Sequence, residues 1–154
     1  MSAEPTLRVA TPADLAIVVT LMQELVDELG PIDMSQRLKE KLEPDLALAL
    51  ASPSVRIFLA EACGEFLGLS RGDVLTADPI FRLRDDHRCG YIDQMYVREA
   101  FRHTGLGARL LHACEDWFRE LGVNHSLLHA APRAVRFYAR EGYLPNREMF
   151  KRLF

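Results

Sequence analysis

The chain has 154 residues and a mass of 17.5 kDa, the size of a single domain that buries about 68–70% of the surface its unfolded chain exposes. Its hydrophobic fraction of 49% and charged fraction of 27% exclude a disordered, collagen-like or mucin-like chain. The formal net charge of −3 is too close to zero to indicate a polyanionic partner, so no nucleic acid is expected.

The first half of the chain predicts a strand, two helices and a hairpin. Alternation at residues 7–10 indicates a strand, and apolar residues at every third or fourth position along 14–29 predict a helix. The same spacing predicts a second helix over 35–50, which Pro44 is expected to break or kink. The apolar, β-branched segments on either side of a tight turn at 63–65 predict a β-hairpin.

The second half predicts a central strand followed by alternating helices and strands. Residues 73–88 are polar and indicate a loop or a long hairpin tip, whereas 90–97 are apolar on both faces, as in a strand buried within a sheet. The elements predicted after it are a helix over 105–121, a strand over 126–130, a helix over 132–141 and a last strand over 148–154. This order predicts an α/β sandwich in a single domain that spans residues 1–154.

Cysteine usage and the N-terminal residues indicate a cytoplasmic protein. Cys63, Cys89 and Cys114 form an odd set without a Cys-x-x-Cys pair, which suggests neither a disulfide framework nor a cysteine zinc site. No basic stretch followed by an apolar core opens the chain, and no apolar run is long enough to cross a bilayer. We therefore expect a reducing compartment and no membrane contact.

The segment most informative about function follows the central strand and reads Arg102-His103-Thr104-Gly105-Leu106-Gly107. A helix start offers unpaired N–H groups and the positive end of the helix dipole, and glycines remove the side chains that would keep a phosphate away. It is not a dinucleotide-binding fingerprint, because Leu110 occupies the third glycine position, and the chain has no Gly-Lys pair for a Walker loop. The segment predicts a pyrophosphate cradle; a turn with glycines needed only for geometry is the alternative.

Together with the segments 91–97 and 137–143, these six residues resemble the GNAT superfamily of acetyl-CoA-dependent N-acetyltransferases. The resemblance extends over nearly the whole chain, from Arg8 to the final strand. It implies a mixed, mostly antiparallel central sheet that is splayed at its middle and flanked by about four helices. It also implies acetyl-CoA as a co-substrate, no metal, and direct acetyl transfer to a primary amine of a small molecule or peptide within a ternary complex.

The resemblance also assigns residues to the cofactor. The main chain of Met95, Tyr96 and Val97 would pair with the pantetheine arm, in a cleft where the strands containing Val97 and Leu127 splay apart. The backbone N–H groups of residues 102–107 would hold the pyrophosphate, and the cofactor-binding residues of this cradle are Arg102, His103, Thr104, Gly105, Leu106, Gly107 and Ala108. Family members often carry Asn seven residues before the helix tyrosine, where this chain has Ala131, so that one contact is not expected here.

Two residues are candidates for catalysis. Tyr138 adjoins a core-facing Phe137 on the predicted helix, so it can face the cleft and protonate the departing CoA thiolate as a general acid. Asp93 is the only charged residue in the central strand, where it acts as a direct or water-mediated base or as a hydrogen-bonded structural residue. Glu61 and His129 are weaker candidates for the base, and solvent deprotonation is a further alternative. We expect a group to assist deprotonation of the acceptor amine. At a pKa near 10.4 only about one amine in 2,500 is neutral at pH 7, which costs roughly 4.6 kcal/mol.

Other catalytic chemistries find little support. His125 and His129 would lie about 13 Å apart on a strand, too far for one metal ion. Neither a Gly-x-Ser-x-Gly motif nor a Cys–His pairing favours an acyl-enzyme.

The sequence indicates the acceptor only through the distribution of charged residues along the chain. Residues 1–97 carry 9 basic and 16 acidic side chains and residues 98–154 carry 10 and 6, which gives −7 and +4. An acidic rim around the acceptor pocket would attract a cationic amine; its members are Glu24, Asp27, Glu28, Asp33, Asp73, Asp78, Asp85 and Asp86. Two alternatives to an enzyme keep the fold without turnover: a non-catalytic acyl-CoA-binding sensor, and an interaction domain that forms a homodimer through residues 149–154.

Overall fold

The computed structural model describes residues 3–29, 36–76 and 88–146, together with 149, 151 and 153. The strands are β1 (Thr6–Val9), β2 (Val55–Ala62), β3 (Glu65–Thr76), β4 (Arg88–Val97) and β5 (Ser126–Leu128), and the helices are α1 (Leu15–Glu28), α2 (Gln36–Ala51), α3 (Leu106–Glu120) and α4 (Val135–Arg140). This order confirms the predicted alternation of elements. Within the described residues, no helix is both long and apolar enough to cross a membrane.

The five strands form one mixed sheet in the order β1-β2-β3-β4-β5. The first four strands are antiparallel neighbours, and only β5 runs parallel to its neighbour β4. The pairing of β4 with β5 covers just three residues and ends where Ile92 lies beside Leu128. Because β4 continues to Val97, these last two strands of the described sheet part beyond this pair, which agrees with the predicted splaying of the strands that contain Val97 and Leu127.

Side-chain alternation divides the core into two layers. Ile57 and Leu59 of β2 pack with α1 and α2 on one face of the sheet, whereas Phe58 and Ala60 pack with α3 on the other. Gly90 of β4 lies directly under α3, where a Cβ would overlap the Phe118 ring. A side chain at this position would therefore push α3 away from the sheet.

A bulge interrupts β4 next to the point where β5 parts from it. Arg71 of β3 lies opposite Gln94 and Gly72 lies opposite Ile92, so Asp93 is an extra residue without a partner in the register. Bulges turn side chains toward new directions and are frequent beside functional sites. Here the bulge separates the half of β4 that pairs with β5 from the half that does not.

Three sequence predictions differ from the structure or lie partly outside the described residues. Helix α2 is continuous through Pro44, so the expected break does not occur. The polar stretch 73–88 is partly strand, since β3 extends to Thr76 and β4 begins at Arg88; residues 77–87 lie outside the described part. The predicted last strand over 148–154 also lies largely outside it, and residues 149, 151 and 153 have no strand assignment.

Candidate active site

The turn between β4 and α3 is shaped by its own backbone. A short 3-10 turn, Glu99–Phe101, follows β4, and the Thr104 hydroxyl donates a hydrogen bond to the carbonyl oxygen of Phe101 at 2.7 Å. His103 and Gly105 then adopt left-handed conformations, with φ of +61° and +85°. Glycine suits such a conformation because its missing Cβ removes the clash that an L-residue suffers. The turn thereby directs successive backbone N–H groups to the start of α3.

Six consecutive backbone N–H groups, those of residues 103–108, have no acceptor among the residues that the structure describes. The amides on either side are paired: Arg102 N–H donates to the Glu99 carbonyl at 3.2 Å, and Arg109 N–H donates to the Gly105 carbonyl at 3.1 Å. Unpaired amides at the positive end of a helix dipole form a site for an anion such as a phosphate. Of the residues 102–107 in the predicted cradle, Arg102 has its amide already paired, whereas the amides of 103–107 are unpaired among the described residues. That these amides hold a pyrophosphate stays a prediction.

The Arg102 side chain is also engaged. Its Nε donates to the Val97 carbonyl oxygen at 2.8 Å, and its Nη2 donates to the Glu28 carboxylate at 2.6 Å. Arg133, on the turn before α4, reaches the same carboxylate at 3.0 Å. The Arg102 hydrogen bond is the main reason that the pKa of Glu28 lies below its ordinary value. One acidic side chain of α1 thus joins the turn before α3 to the turn before α4.

A second salt bridge, between Glu24 of α1 and Arg98, lies beside the one between Glu28 and Arg102. Both oxygens of the Glu24 carboxylate accept hydrogen bonds from Arg98, at 2.8 and 2.9 Å, and Arg98 also donates to the Phe66 carbonyl. Sequence reasoning assigned no role to Arg98 or Arg133. A signal was available, because Glu24 and Glu28 are four residues apart on α1 and Arg98 and Arg102 are also four apart.

The half of β4 that β5 leaves uncovered has an open edge. The N–H of Arg98 donates to the Leu67 carbonyl of β3, and residues of an antiparallel strand turn their main-chain groups alternately to either side. Tyr96 therefore directs its main chain to β3, whereas Met95 and Val97 direct theirs to the open edge. The predicted pairing of Tyr96 with a bound chain is not compatible with this register, but Met95 and Val97 remain candidates.

Tyr138 lies on α4 and packs against the α3 layer of the core, with the rings of Phe137 and Tyr143 at 5.0 and 5.8 Å between centroids. Among the described residues its hydroxyl has no hydrogen-bond partner. The oxygen is also absent from the fully buried unpaired atoms, so it keeps access to solvent. Burial of the ring raises the pKa of Tyr138 to about 12, which keeps the hydroxyl protonated at neutral pH.

Asp93 lies on the opposite face of the sheet, the face that α1 and α2 cover. Its carboxylate lies 3.3 Å from Arg71 Nε, and Arg71 also holds both oxygens of Asp73 at 2.7 Å. Burial raises the pKa of Asp93, and the nearby Arg71 charge opposes that rise. The side chain is 29% exposed, so the carboxylate is an ion-paired group at a surface that remains in contact with solvent.

A tyrosine–histidine pair lies next to the same bulge. The Tyr91 hydroxyl lies 2.6 Å from His129 Nδ1, and their ring centroids are 5.7 Å apart. His129 follows β5 directly, so this candidate of the sequence analysis does lie at the point where the strands part. Glu61 does not, because β3 separates its strand from β4 and it faces Arg8 at 3.5 Å.

Three of the four described members of the predicted acidic rim are neutralised by arginine. Glu24, Glu28 and Asp73 are each bound to arginine, which cancels much of their field. Asp27 lies among the described residues, whereas the other four members of the rim lie outside them. Among the described residues no group of three or more His, Cys, Asp or Glu side chains could hold a metal ion.

The chain resembles known acetyltransferases over most of its length. Residues 19–143 match the model of the acetyltransferase (GNAT) family. The aminoglycoside N(6')-acetyltransferase type 1 of Stenotrophomonas maltophilia is 30% identical, over 92% of this chain and 91% of that protein.

Two solved structures share the fold. A GCN5-related N-acetyltransferase from Ralstonia eutropha superimposes with a TM-score of 0.88 at 26% identity, over 97% of this chain and 99% of the other. A predicted acetyltransferase from Clostridium acetobutylicum, in a structure with acetyl-CoA, gives a TM-score of 0.84 at 19% identity, over 96% and 95% of the two chains.

Proposed function

The chain belongs to the GNAT family of acetyltransferases, and from this premise we propose that it transfers the acetyl group of acetyl-CoA directly to a primary amine of a small molecule. Both substrates would be bound at once, in a ternary complex. The observation that carries this proposal is the row of six unpaired amides at residues 103–108, which adjoins the open edge of β4. A pyrophosphate and an amide-bearing arm are the two parts of a CoA molecule that these features complement.

The cofactor would lie along the α3 side of the split. Backbone N–H groups from His103 to Ala108 would bind the pyrophosphate. The main chain of Met95 and the N–H of Val97 would bind the arm, since the Val97 carbonyl oxygen already accepts a hydrogen bond from Arg102 Nε. A Cβ at Gly107 would lie 3.6 Å from the Phe137 ring, an ordinary van der Waals contact that involves no clash with the protein. Glycine there leaves the amides accessible to the phosphates. Acetyl-CoA, when bound, supplies an activated thioester.

Tyr138 is proposed as the general acid. Its hydroxyl is protonated at neutral pH, accessible, and not committed to another protein group among the described residues. A phenol in this state is suited to donate its proton to the sulfur as the C–S bond breaks. By contrast, Tyr143 on the same side of the core donates its hydroxyl proton to Ser126 at 3.0 Å, which indicates a structural role.

Asp93 is proposed to attract and orient the acceptor ammonium. It faces the α1 and α2 side of the sheet, opposite Tyr138, so the amine and the leaving thiolate would approach the thioester from different sides. The proton-accepting role that the sequence suggested is weaker in the structure. A carboxylate paired with Arg71 is a poor acceptor for the proton of an amine whose pKa is several units higher.

An aminosugar is the acceptor class that the relative from Stenotrophomonas maltophilia favours, since its name specifies acetylation of an aminoglycoside at N(6'). We propose an aminoglycoside or a similar polyamine as the acceptor. Residues of the acidic rim that are already paired with arginine contribute little to its binding, which leaves Asp27 among the described members of the rim. Asp93 is a second candidate for a cation contact, because its 3.3 Å contact with Arg71 is longer than the 2.7 Å bonds between Arg71 and Asp73.

Thiol release from acetyl-CoA tests the proposal, with neamine and paromamine as a matched pair of acceptors that differ in an amine or a hydroxyl at the 6′ carbon. We expect turnover with neamine and little with paromamine. A lysine peptide and a linear polyamine test whether the acceptor is a different primary amine. Tight CoA binding without acetylation of any of these amines would overturn the proposal and favour an acyl-CoA sensor.

A further inference from the structure

The Tyr91–His129 pair lies where the acceptor amine would have to lose its proton. Pairing of β4 with β5 ends at Ile92 and Leu128. Tyr91 is the residue just before this last pair on one strand, and His129 is the residue just after it on the other. The hydrogen bond between them, 2.6 Å from the Tyr91 hydroxyl to His129 Nδ1, therefore crosses the split between the strands at its base.

The pair belongs to the acceptor side of the sheet. Tyr91 lies opposite Asp73, whose carboxylate binds Arg71. Arg71 in turn interacts electrostatically with Asp45 of α2. Leu128 packs into the α3 layer, so the next residue along the chain turns to the other face. Tyr91, His129 and Asp93 therefore share the face opposite the Tyr138 hydroxyl.

We propose that Tyr91 and His129 act together as the proton acceptor for the amine; this inference rests on the proposed function. A phenol alone is a poor base, but one whose own proton can pass to an imidazole nitrogen can accept another proton at its oxygen. Imidazole is suited to this task, because its ordinary pKa lies between pH 5 and 8. The proton-receiving oxygen of Tyr91 and the Nδ1 atom of His129 are thus the two ends of one hydrogen bond.

The transfer balances as follows. One N–H bond of the acceptor ammonium breaks and its proton joins the Tyr91 oxygen, while the Tyr91 proton passes to His129 Nδ1. The freed lone pair forms the N–C bond with the thioester carbonyl carbon, the C–S bond breaks, and sulfur takes the Tyr138 proton. When the tetrahedral intermediate collapses to the amide, its nitrogen loses a second proton. This proton matches the one that Tyr138 must regain. The net products are the amide, the CoA thiol and one proton, which leaves through the exposed imidazole of His129.

The other charged groups on this face are less suited to accept the proton. Asp93 and Asp73 are both paired with Arg71, and Arg71 itself carries no acceptor. Their charges set the field around the pair: two carboxylates and one guanidinium from β3 and β4, with Asp45 approaching from α2.

Acceptors of different basicity separate a base from a structural contact. His129→Ala and Tyr91→Phe should each lower kcat about 10²-fold for neamine, with the KM for acetyl-CoA unchanged. For trifluoroethylamine, which is already neutral at pH 7, both substitutions should change kcat less than threefold. Added imidazole should restore a measurable part of the neamine activity of His129→Ala but not of Tyr91→Phe.

Three outcomes would overturn the inference. Wild-type turnover of neamine in either variant would contradict the proton-accepting role. An equal loss of turnover for neamine and trifluoroethylamine would indicate a structural role. Failure of imidazole to raise the rate of folded His129→Ala counts equally against the pair. A wild-type protein that binds CoA but acetylates no amine would contradict the proposed function itself, and that result is read before any variant is made.

Discussion

Replacement of Tyr138 by Phe removes one hydroxyl group and leaves the rest of the site in place. The ring of Tyr138 packs between Phe137 and Tyr143, and a phenylalanine ring fills the same space. Because the hydroxyl has no protein hydrogen bond among the described residues, its loss leaves no buried group without a partner. We therefore expect the free energy of unfolding to change by no more than about 0.5 kcal/mol.

The catalytic effect should be much larger. Without a proton donor the thiolate must leave as an anion, and loss of a general acid typically lowers the rate about 10²–10⁴-fold. At about 1.4 kcal/mol for each factor of ten, this corresponds to roughly 3–5.5 kcal/mol of transition-state stabilisation. The KM for acetyl-CoA should stay nearly constant, because the cradle at residues 103–108 is untouched.

Tyr143→Phe provides the matched control. It removes the hydroxyl that donates to Ser126 at 3.0 Å, so it should cost about 1 kcal/mol of stability and little activity. Urea denaturation and thiol-release kinetics on both variants and the wild type make the comparison. The reasoning is refuted if Tyr138→Phe keeps the wild-type kcat, or if the two substitutions lower kcat to the same extent.

Three further predictions concern charge and backbone conformation. The Arg8 guanidinium holds the pKa of Asp14 well below its ordinary value, so the stabilisation is present above about pH 4 and is lost progressively as the pH falls below that value. Asp14→Asn should be about 1 kcal/mol less stable at pH 7 and should flatten that acid limb in urea titrations; a parallel limb would contradict the ion pair. Gly105→Ala should cost about 1–2 kcal/mol, because φ is +85° and the added Cβ meets no atom within 4 Å, and Gly105→Asn should cost less in the same denaturation assay. Asp93→Asn should raise the KM for a cationic acceptor several-fold and leave the pH profile of kcat in place; loss of the acidic limb of that profile would instead restore Asp93 as the base.

Most of the fold could be predicted from the sequence because its signals are local. The apolar spacing of α1 and α3 and the glycines at the turns define helices and their ends without knowledge of contacts. The exception is Pro44, whose expected break is overridden by packing of α2 residues such as Leu46, which is 2% exposed. Tertiary burial can compensate for a local cost of this kind.

The site was predictable only where one segment contains it. Residues 102–107 could be singled out because a strand, two glycines and a helix follow one another, whereas the hydrogen bond that occupies the Arg102 N–H at Glu99 could not be inferred from the sequence. The salt bridges of Glu24 and Glu28 join residues that are 74 and 105 positions apart in the chain, which no local sequence pattern specifies. The bulge at Asp93 likewise depends on the register with β3 and not on composition.

Binding of CoA to a pair of variants at Gly107 tests the central claim, that the amides of residues 103–108 hold the pyrophosphate. Gly107 is the second residue of α3, where aspartate favours the helix electrostatically. Both Gly107→Asp and the neutral Gly107→Asn should therefore fold, and the free energy of unfolding of Gly107→Asp should be no lower than that of Gly107→Asn. Calorimetry is carried out with CoA and with pantetheine, which lacks the pyrophosphate.

The account predicts that Gly107→Asp binds CoA at least about tenfold more weakly than Gly107→Asn, since the carboxylate repels the phosphates across a short distance. Pantetheine should bind both variants equally. Equal CoA affinity in the two folded variants, or the same loss of affinity for pantetheine, would contradict a pyrophosphate cradle at this turn.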